Sequence, residues 1–274
     1  MHQPLSASMP RTAALPMYPG NPAREEELWR AVAARLVDAG MQAVPPTLTW
    51  PADYHAHWAL PQLLISQTCG YPLVTLMQGQ VRVVGGFHYR VPGCTGVLNR
   101  SQLVVRAGDP ASRLADLRGC RVAYNHTGSQ SGYNSLRALV APLSTHGRFF
   151  GSHLETGSHL ASVHAVRDSL ADIASIDCVS LAGFRKHTPD ATRGLCVLAE
   201  SAPYPGLPLI TAASTSDADL AMLRGVIGQT VRDPALAEVC EALFIAGFEP
   251  LEYADYQVCT DMHNAARALG YPAL

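Results

Sequence analysis

The phrase Thr-Gly-Ser occurs twice where an apolar run gives way to an amphipathic one. Thr127-Gly128-Ser129-Gln130-Ser131-Gly132 follows Arg121–Asn125, and Thr156-Gly157-Ser158-His159 lies between Phe149–Leu154 and Leu160–Leu170. Each reads as strand, tight glycine turn, helix start. Such a turn leaves backbone N–H groups unpaired at the positive end of the helix dipole. Hydroxyls there add donors, and the combination holds a small anion. Serine at a helix start is also an ordinary N-cap, and one copy alone does not separate the two roles. Ser129 and Ser131 are the main anion-ligand candidates.

Other residues suit the rest of such a ligand. His159, at the start of the second helix, supplies a pH-sensitive cation or donor, or is a surface histidine. Asp177 ends the apolar strand Ala171–Asp177, as a helix cap or as the partner of a ligand amine or hydroxyl. Tyr18, Tyr89 and the Gln67-Thr68-Cys69 turn fall at strand ends in the first part of the chain. They complete an opposite wall or pack turns. Cys69 precedes a helix start that would lower its pKa, but a nucleophile needs a base and an oxyanion hole, and neither has a signature here. His55-Ala56-His57 reads as surface, because helical i, i+2 spacing sends the rings to different faces. The sequence has no Walker A, GxGxxG, GxSxG or HExxH motif. No cofactor, metal or catalytic set is expected.

Composition narrows the class. At 274 residues the chain makes one large domain or two modest ones. Its 20 basic and 22 acidic residues give a net charge of −2 with no basic run, against nucleic acid or polyanionic membranes as partners. No apolar stretch reaches membrane-spanning length, so no membrane insertion is expected. The N-terminus lacks the apolar core of a secretory signal. The expectation is a cytoplasmic protein, or a periplasmic one if a signal was removed before residue 1. Seven cysteines, odd in number and with no CxxC, read as reduced thiols.

The elements that position these residues alternate. Residues 1–11 read as a disordered leader. Ala13–Met17 reads as a strand, Glu25–Asp38 as a helix stopped by Gly40, and Thr47–Trp50 and Leu63–Gln67 as strands. A helix follows from Pro72 to Met77, then β segments at Val81–Tyr89 and Gly96–Arg106. Past the Arg121–Asn125 strand comes a helix bearing Tyr133, Leu136, Leu139, Val140 and Leu143, with Pro142 in its last turn. The next helix aligns Leu160, Val163, Val166 and Leu170. Val179–Lys186 reads as a helix, Gly194–Ala199 as a strand, Ser201–Pro208 as an extended linker and Leu209–Ala212 as a strand. Three helices close the chain: one through Leu220–Val231, then Ala235–Ala246 and Asp255–Leu269. This alternation predicts an α/β fold with mostly parallel sheets, whose strand tips at Asn125/Thr127, Thr156 and Asp177 converge on one edge.

Asp116–Asn125 followed by Gly128-Ser129-Gln130-Ser131-Gly132-Tyr133 resembles the signature of phosphate/phosphonate-binding proteins (PhnD-like), solute-binding components of ABC importers. Gly157-Ser158-His159, the strand to Asp177 and Ala202–Gly206 match the same family in order, and Gln67–Pro72 resembles the part of its first lobe that meets the ligand. The resemblance runs over about residues 13–250. It implies a two-lobed type II periplasmic-binding-protein fold with a double-crossing hinge. Lobe 1 would comprise residues 12–103 and 208–274, and lobe 2 residues 104–207. It implies that Ser129, Gln130 and Ser131 hold phosphonate oxygens, that His159 joins them, that Asp177 meets a ligand amine, and that Tyr18 and Tyr89 face them from lobe 1. Gln130 stands where the family has a small hydroxyl residue. The implied function is capture of a small anionic or zwitterionic solute, phosphate- or phosphonate-like, with an ABC permease as partner. A cytoplasmic enzyme or ligand sensor on the same scaffold, using Cys69 or His159, is the alternative.

Overall fold

The apolar stripes sort into two sheets, each flanked by helices. The computed structural model describes residues 10–18 and 20–274. The chain begins with β1 (Thr12–Ala13), α1 (Pro22–Asp38), α2 (Tyr54–Trp58), β2 (Leu63–Gln67), α3 (Gly70–Leu76) and β3 (Val81–Tyr89). It crosses through β4 (Leu98–Asn99) and β5 (Ser101–Arg106) to β6 (Arg121–Tyr124), α4 (Ser135–Val140), β7 (Ser152–Glu155) and α5 (His159–Arg167). β8 (Ile173–Asp177), α6 (Cys178–His187), α7 (Pro189–Thr192) and β9 (Leu195–Glu200) follow. It returns through β10 (Tyr204–Pro205) and β11 (Pro208–Ala212) to α8 (Asp217–Thr230), α9 (Ala237–Ala242), β12 (Ile245–Glu249) and α10 (Gln257–Ala268).

The first sheet runs β1-β2-β11-β3-β12 and the second β7-β6-β8-β5-β9. In each, a crossing strand (β11 or β5) is inserted antiparallel to both neighbours. The expectation of mostly parallel sheets is corrected for that reason: only β1–β2, β6–β7 and β6–β8 pair in parallel among the described residues. The two crossings lie side by side, Tyr204 opposite Asn99 and Pro205 opposite Leu98. Ser101 N–H donates to Ser201 Oγ, and Ser201 N–H to Ser101 O, both at 2.9 Å. The fold is thus two-lobed α/β with a double crossing, as the resemblance implied.

Helices cover both sheets. In the first lobe, Leu28, Val32 and Leu36 of α1 and Leu223 and Ile227 of α8 pack with Val84 and Phe87 of β3. Burying each of these side chains is worth roughly 1.5–3 kcal/mol. In the second lobe, Leu136 and Val140 of α4 pack with Leu103, Val105 and Ile173, while Val163 and Val166 of α5 pack with Ala123, Ala174 and Ile176 across the sheet. The lobes interlock: Cys178 and Val179 at the start of α6 join the first lobe's core, and Ala266 and Tyr271 join the second's.

Several local expectations change. The leader at 1–11 lies outside the described residues except for Pro10 and Arg11, whose guanidinium is 3.6 Å from Asp219. The first strand ends at Ala13 instead of Met17, because Pro16 has no N–H for the ladder. Thr47–Trp50 is not a strand; flanked by prolines, it makes a single ladder-like bond, Thr49 N–H to Ala13 O at 2.7 Å. Leu170 is exposed, because α5 stops at Arg167 and Ser169 turns the chain at φ 61°. His57 is buried, not on the surface, because α2 packs it and Trp58 inward. The predicted helix to Ala246 ends at Ala242, and the missed strand β12 then pairs with β3.

Candidate functional site

The carboxyl ends of β6, β7 and β8 are neighbours, so their tips share one edge. The second Thr-Gly-Ser turn is bonded there to the end of β6, which leads into the first: Thr156 N–H donates to Tyr124 O and Gly157 N–H to Asn125 O, both at 2.9 Å. They have different tasks. Thr156 Oγ1 is 2.6 Å from Ser162 Oγ and bonds Tyr124 O, and Ser158 Oγ accepts Ala161 N–H, so the second turn is a helix cap. Its Gly157 sits at φ 82°, a conformation that favours glycine. The first turn instead opens a wide helical turn, with Asn134 N–H reaching Ser129 O at 2.9 Å, a geometry frequent at functional sites.

From Ser129 on, that first turn is buried. Ser129 Oγ accepts Gly132 N–H at 3.0 Å and is 3.5 Å from Ser131 Oγ, which is 2.9 Å from His159 Nε2. A Cβ at Gly132 would collide with Asn125 Oδ1, so the turn tolerates no side chain there. Ser175 Oγ, from β8, donates to Ser131 O at 2.6 Å and ties the turn to the strand that ends in Asp177. His159 Nδ1 is covered and has no partner, and burial pulls the imidazole pKa down to about 4. The ring is therefore neutral at pH 7. The side chain of Gln130 turns away: its Oε1 accepts from Asn134 and its Nε2 lies 3.2 Å from Met262 Sδ on α10. Its backbone N–H, not its amide, reaches the cleft.

Asp177 fills the helix-cap role, one of the two that the sequence left open, and also faces the first lobe. Oδ1 accepts the N–H groups of Val179 and Ser180 at 2.9 and 3.0 Å, capping α6. Oδ2 accepts the Tyr18 hydroxyl from the first lobe at 3.2 Å. Burial raises the carboxyl pKa, and the bonds from Ser180, Tyr18 and Val179 oppose that rise.

The first lobe's wall consists of phenols, an amide and a thiol. The Tyr18 ring meets Tyr89 edge-on at 5.3 Å, and Gln67 Nε2 donates to Tyr89 Oη at 3.2 Å. Cys69 Sγ accepts Gln130 N–H from the other lobe at 3.2 Å. Burial pushes that thiol's pKa up. Thr68 is buried but turned to the core, where Met77 Sδ is its side-chain neighbour at 3.9 Å. The structure thus gathers Ser129, Ser131, His159, Asp177, Tyr18, Tyr89, Gln67, Cys69 and the Gln130 backbone, and leaves the Thr68 hydroxyl aside.

Two further residues of this region were not among the site residues expected from the sequence. Asn99, fully buried in the crossing, donates to Tyr18 Oη at 3.3 Å. Asn125 marked a strand tip, yet its Oδ1 is buried beside Gly132 without a partner. Asn99 sits between Val97-Leu98 and the polar stretch Arg100-Ser101-Gln102, so its local context gave no signal of burial. Among the described residues no cluster of His, Cys, Asp or Glu is arranged to hold a metal ion, and no helix is long and apolar enough to cross a membrane.

Residues 93–256 match the family described as ABC transporter, phosphonate, periplasmic substrate-binding protein. No curated protein sequence matches. Solved structures share the fold. PhnD1 from Prochlorococcus marinus, in complex with methylphosphonate, is 13% identical with a TM-score of 0.75, over 94% of this chain and 98% of that one. A binding-protein component of an ABC phosphonate transporter from Pseudomonas aeruginosa is 15% identical with a TM-score of 0.72, over 95% and 88%. A Xanthomonas citri protein bound to ATP is 17% identical with a TM-score of 0.68, over 94% and 98%.

Proposed function

Since the chain belongs to the family of periplasmic substrate-binding proteins of phosphonate ABC transporters, we propose that its own ligand is a small phosphonate, or a phosphate-like anion, enclosed between Ser129–Ser131 and the Tyr18–Cys69 wall. The observation that carries this reading is the contact from Gln130 N–H to Cys69 Sγ across the cleft. It sets a backbone donor of the glycine turn directly against the other lobe. In an open arrangement the donors on each wall are released to water. A tetrahedral anion then takes the Ser129 and Ser131 hydroxyls and the Gln130 N–H, which stand ready at a helix start. Closure removes water and strengthens each of those bonds.

The other groups divide the remaining work. A neutral His159 shares its Nε2 with Ser131 and fixes that hydroxyl's direction. Asp177, with Tyr18, takes an amine or hydroxyl on the ligand. Tyr89, Gln67 and Cys69 close the apolar side. The family is one of substrate-binding proteins, not enzymes, and the high pKa of the Cys69 thiol fits binding without chemistry. The docking partner would be an ABC permease and the working compartment the periplasm.

A thermal-shift screen tests the ligand class. Methylphosphonate and inorganic phosphate should each raise the melting temperature, by several degrees at about 100 times Kd, where linkage contributes about 2.7 kcal/mol. Methanesulfonate and acetate should not. A rise confined to sulfonates or carboxylates would overturn the assignment.

A further inference from the structure

We propose that Cys94 and Cys178 form a disulfide that ties the two lobes together. Their sulfurs are 3.4 Å apart. A disulfide needs about 2.05 Å, which small side-chain rotations supply when the sulfurs already touch. The pair lies where the lobes interlock, beside the crossing, with Cys94 Sγ also 3.3 Å from Asn99 Oδ1. Cys94 lies in the segment between β3 and β4 and packs on the first lobe's core. Cys178 opens α6 directly after Asp177, the last residue of β8 in the second lobe's sheet, and its side chain packs into the first lobe's core. The backbones are close as well: a Cβ at Gly93 would lie 2.8 Å from Cys178 Cβ. The bond would sit one residue from the carboxylate assigned to the ligand.

Access differs between the two thiols in a way that suits stepwise oxidation. Cys94 is half-buried and lines an open surface groove of about 480 Å³, with His88, Arg90 and Pro92 on its walls. Cys178 is 1% exposed. An anionic disulfide oxidant such as glutathione disulfide fits a groove that carries a guanidinium. The Cys94 thiolate, its proton lost to groove water, attacks one sulfur of the oxidant. That forms a mixed disulfide and releases one thiolate. Cys178 then attacks Cys94 Sγ, forming the internal bond, and its proton passes to the departing sulfur, which leaves as the second thiol. Two thiols are oxidised, and the two electrons leave with the oxidant as two thiols. In the cell this rests on the periplasmic reading above, because disulfides persist in that compartment. The purified-protein test needs neither that reading nor a ligand.

Reduced protein is incubated with glutathione disulfide, its free thiols are alkylated, and cysteine peptides are mapped by mass. The expected product loses two hydrogens, leaves five of the seven cysteines alkylated and contains a Cys94–Cys178 cross-linked peptide. Its melting temperature should exceed that of the reduced protein by at least about 5 °C, since the bond closes a long loop. Hydrogen exchange at the Gln130 amide should slow, because that N–H crosses the cleft. Dithiothreitol should reverse every change, and neither Cys94→Ser nor Cys94→Ala should show any of them. Seven alkylated cysteines, a stable glutathione adduct on Cys94, or Cys178 linked to a different cysteine would overturn the proposal. An oxidised form whose Gln130 amide exchanges as fast as in the reduced form would overturn the tie between lobes.

Discussion

The second lobe meets the cleft with hydroxyls, a carboxylate and a neutral imidazole, whereas the first meets it with phenols, an amide and a thiol. The frameworks behind them are alike: five strands each, with the crossing strand inserted antiparallel. The difference arises just past the carboxyl ends of the strands. β6, β7 and β8 each lead into a helix start capped by Ser129, Ser158 or Asp177. β2 leads into α3 from Cys69, whose side chain makes no cap bond, and β3 leads into no helix at all. Polar donors therefore concentrate on one wall. In the proposed function the second lobe reads the ligand's charge and the first encloses it.

Asp177→Asn breaks that division most sharply. Asparagine keeps an acceptor for Val179 and Ser180, so the α6 cap survives while the charge is lost. Affinity for an aminoalkylphosphonate should fall about 10–100-fold, the worth of a charged hydrogen bond. Affinity for methylphosphonate should stay within about twofold, since no amine is present to feel the charge. Equal losses for both ligands in calorimetry would reduce Asp177 to a structural cap.

A smaller effect sharpens the same contrast through pH. Burial lowers the His159 pKa from the usual 6.5 to about 4. Between those values the unfolded chain binds a proton that the folded chain refuses, so acid favours unfolding. This contribution is complete above pH 6.5 and is lost as pH falls toward 4. Melting of His159→Gln should decline less over that window than melting of the wild type, by several degrees. Parallel declines would mean that the imidazole is not held neutral by the second lobe's wall.

The framework was more legible than the wiring of the site. β2 and β3 match the predicted spans end to end, because Leu63–Gln67 is a brief apolar run and Val81–Tyr89 a β-rich one, each bounded by turn signals. β12 was not legible, because no glycine or proline separates it from α9. Phe244 breaks the helix at φ 59°, a conformation its residue type does not announce. The three polar tips came from strand order, which the sequence pattern supports. Which atom of each residue faces the cleft did not. Gln130 looks like a ligand side chain in sequence, yet its amide serves Asn134 and Met262. Thr68 sits in the right turn with its hydroxyl in the core. Such orientations depend on packing partners far away in the chain, as with Met262, and no local pattern encodes them.

The most direct test of the anion site is a calorimetric titration of methylphosphonate into the wild type and into Ser129→Ala/Ser131→Ala. Removing the Ser129 cap should cost about 1 kcal/mol of stability and leave the protein folded, which melting verifies. Saturable binding by the wild type and no measurable heat from the double variant are the expected results. Unchanged affinity in a folded double variant would contradict a site built on those two hydroxyls.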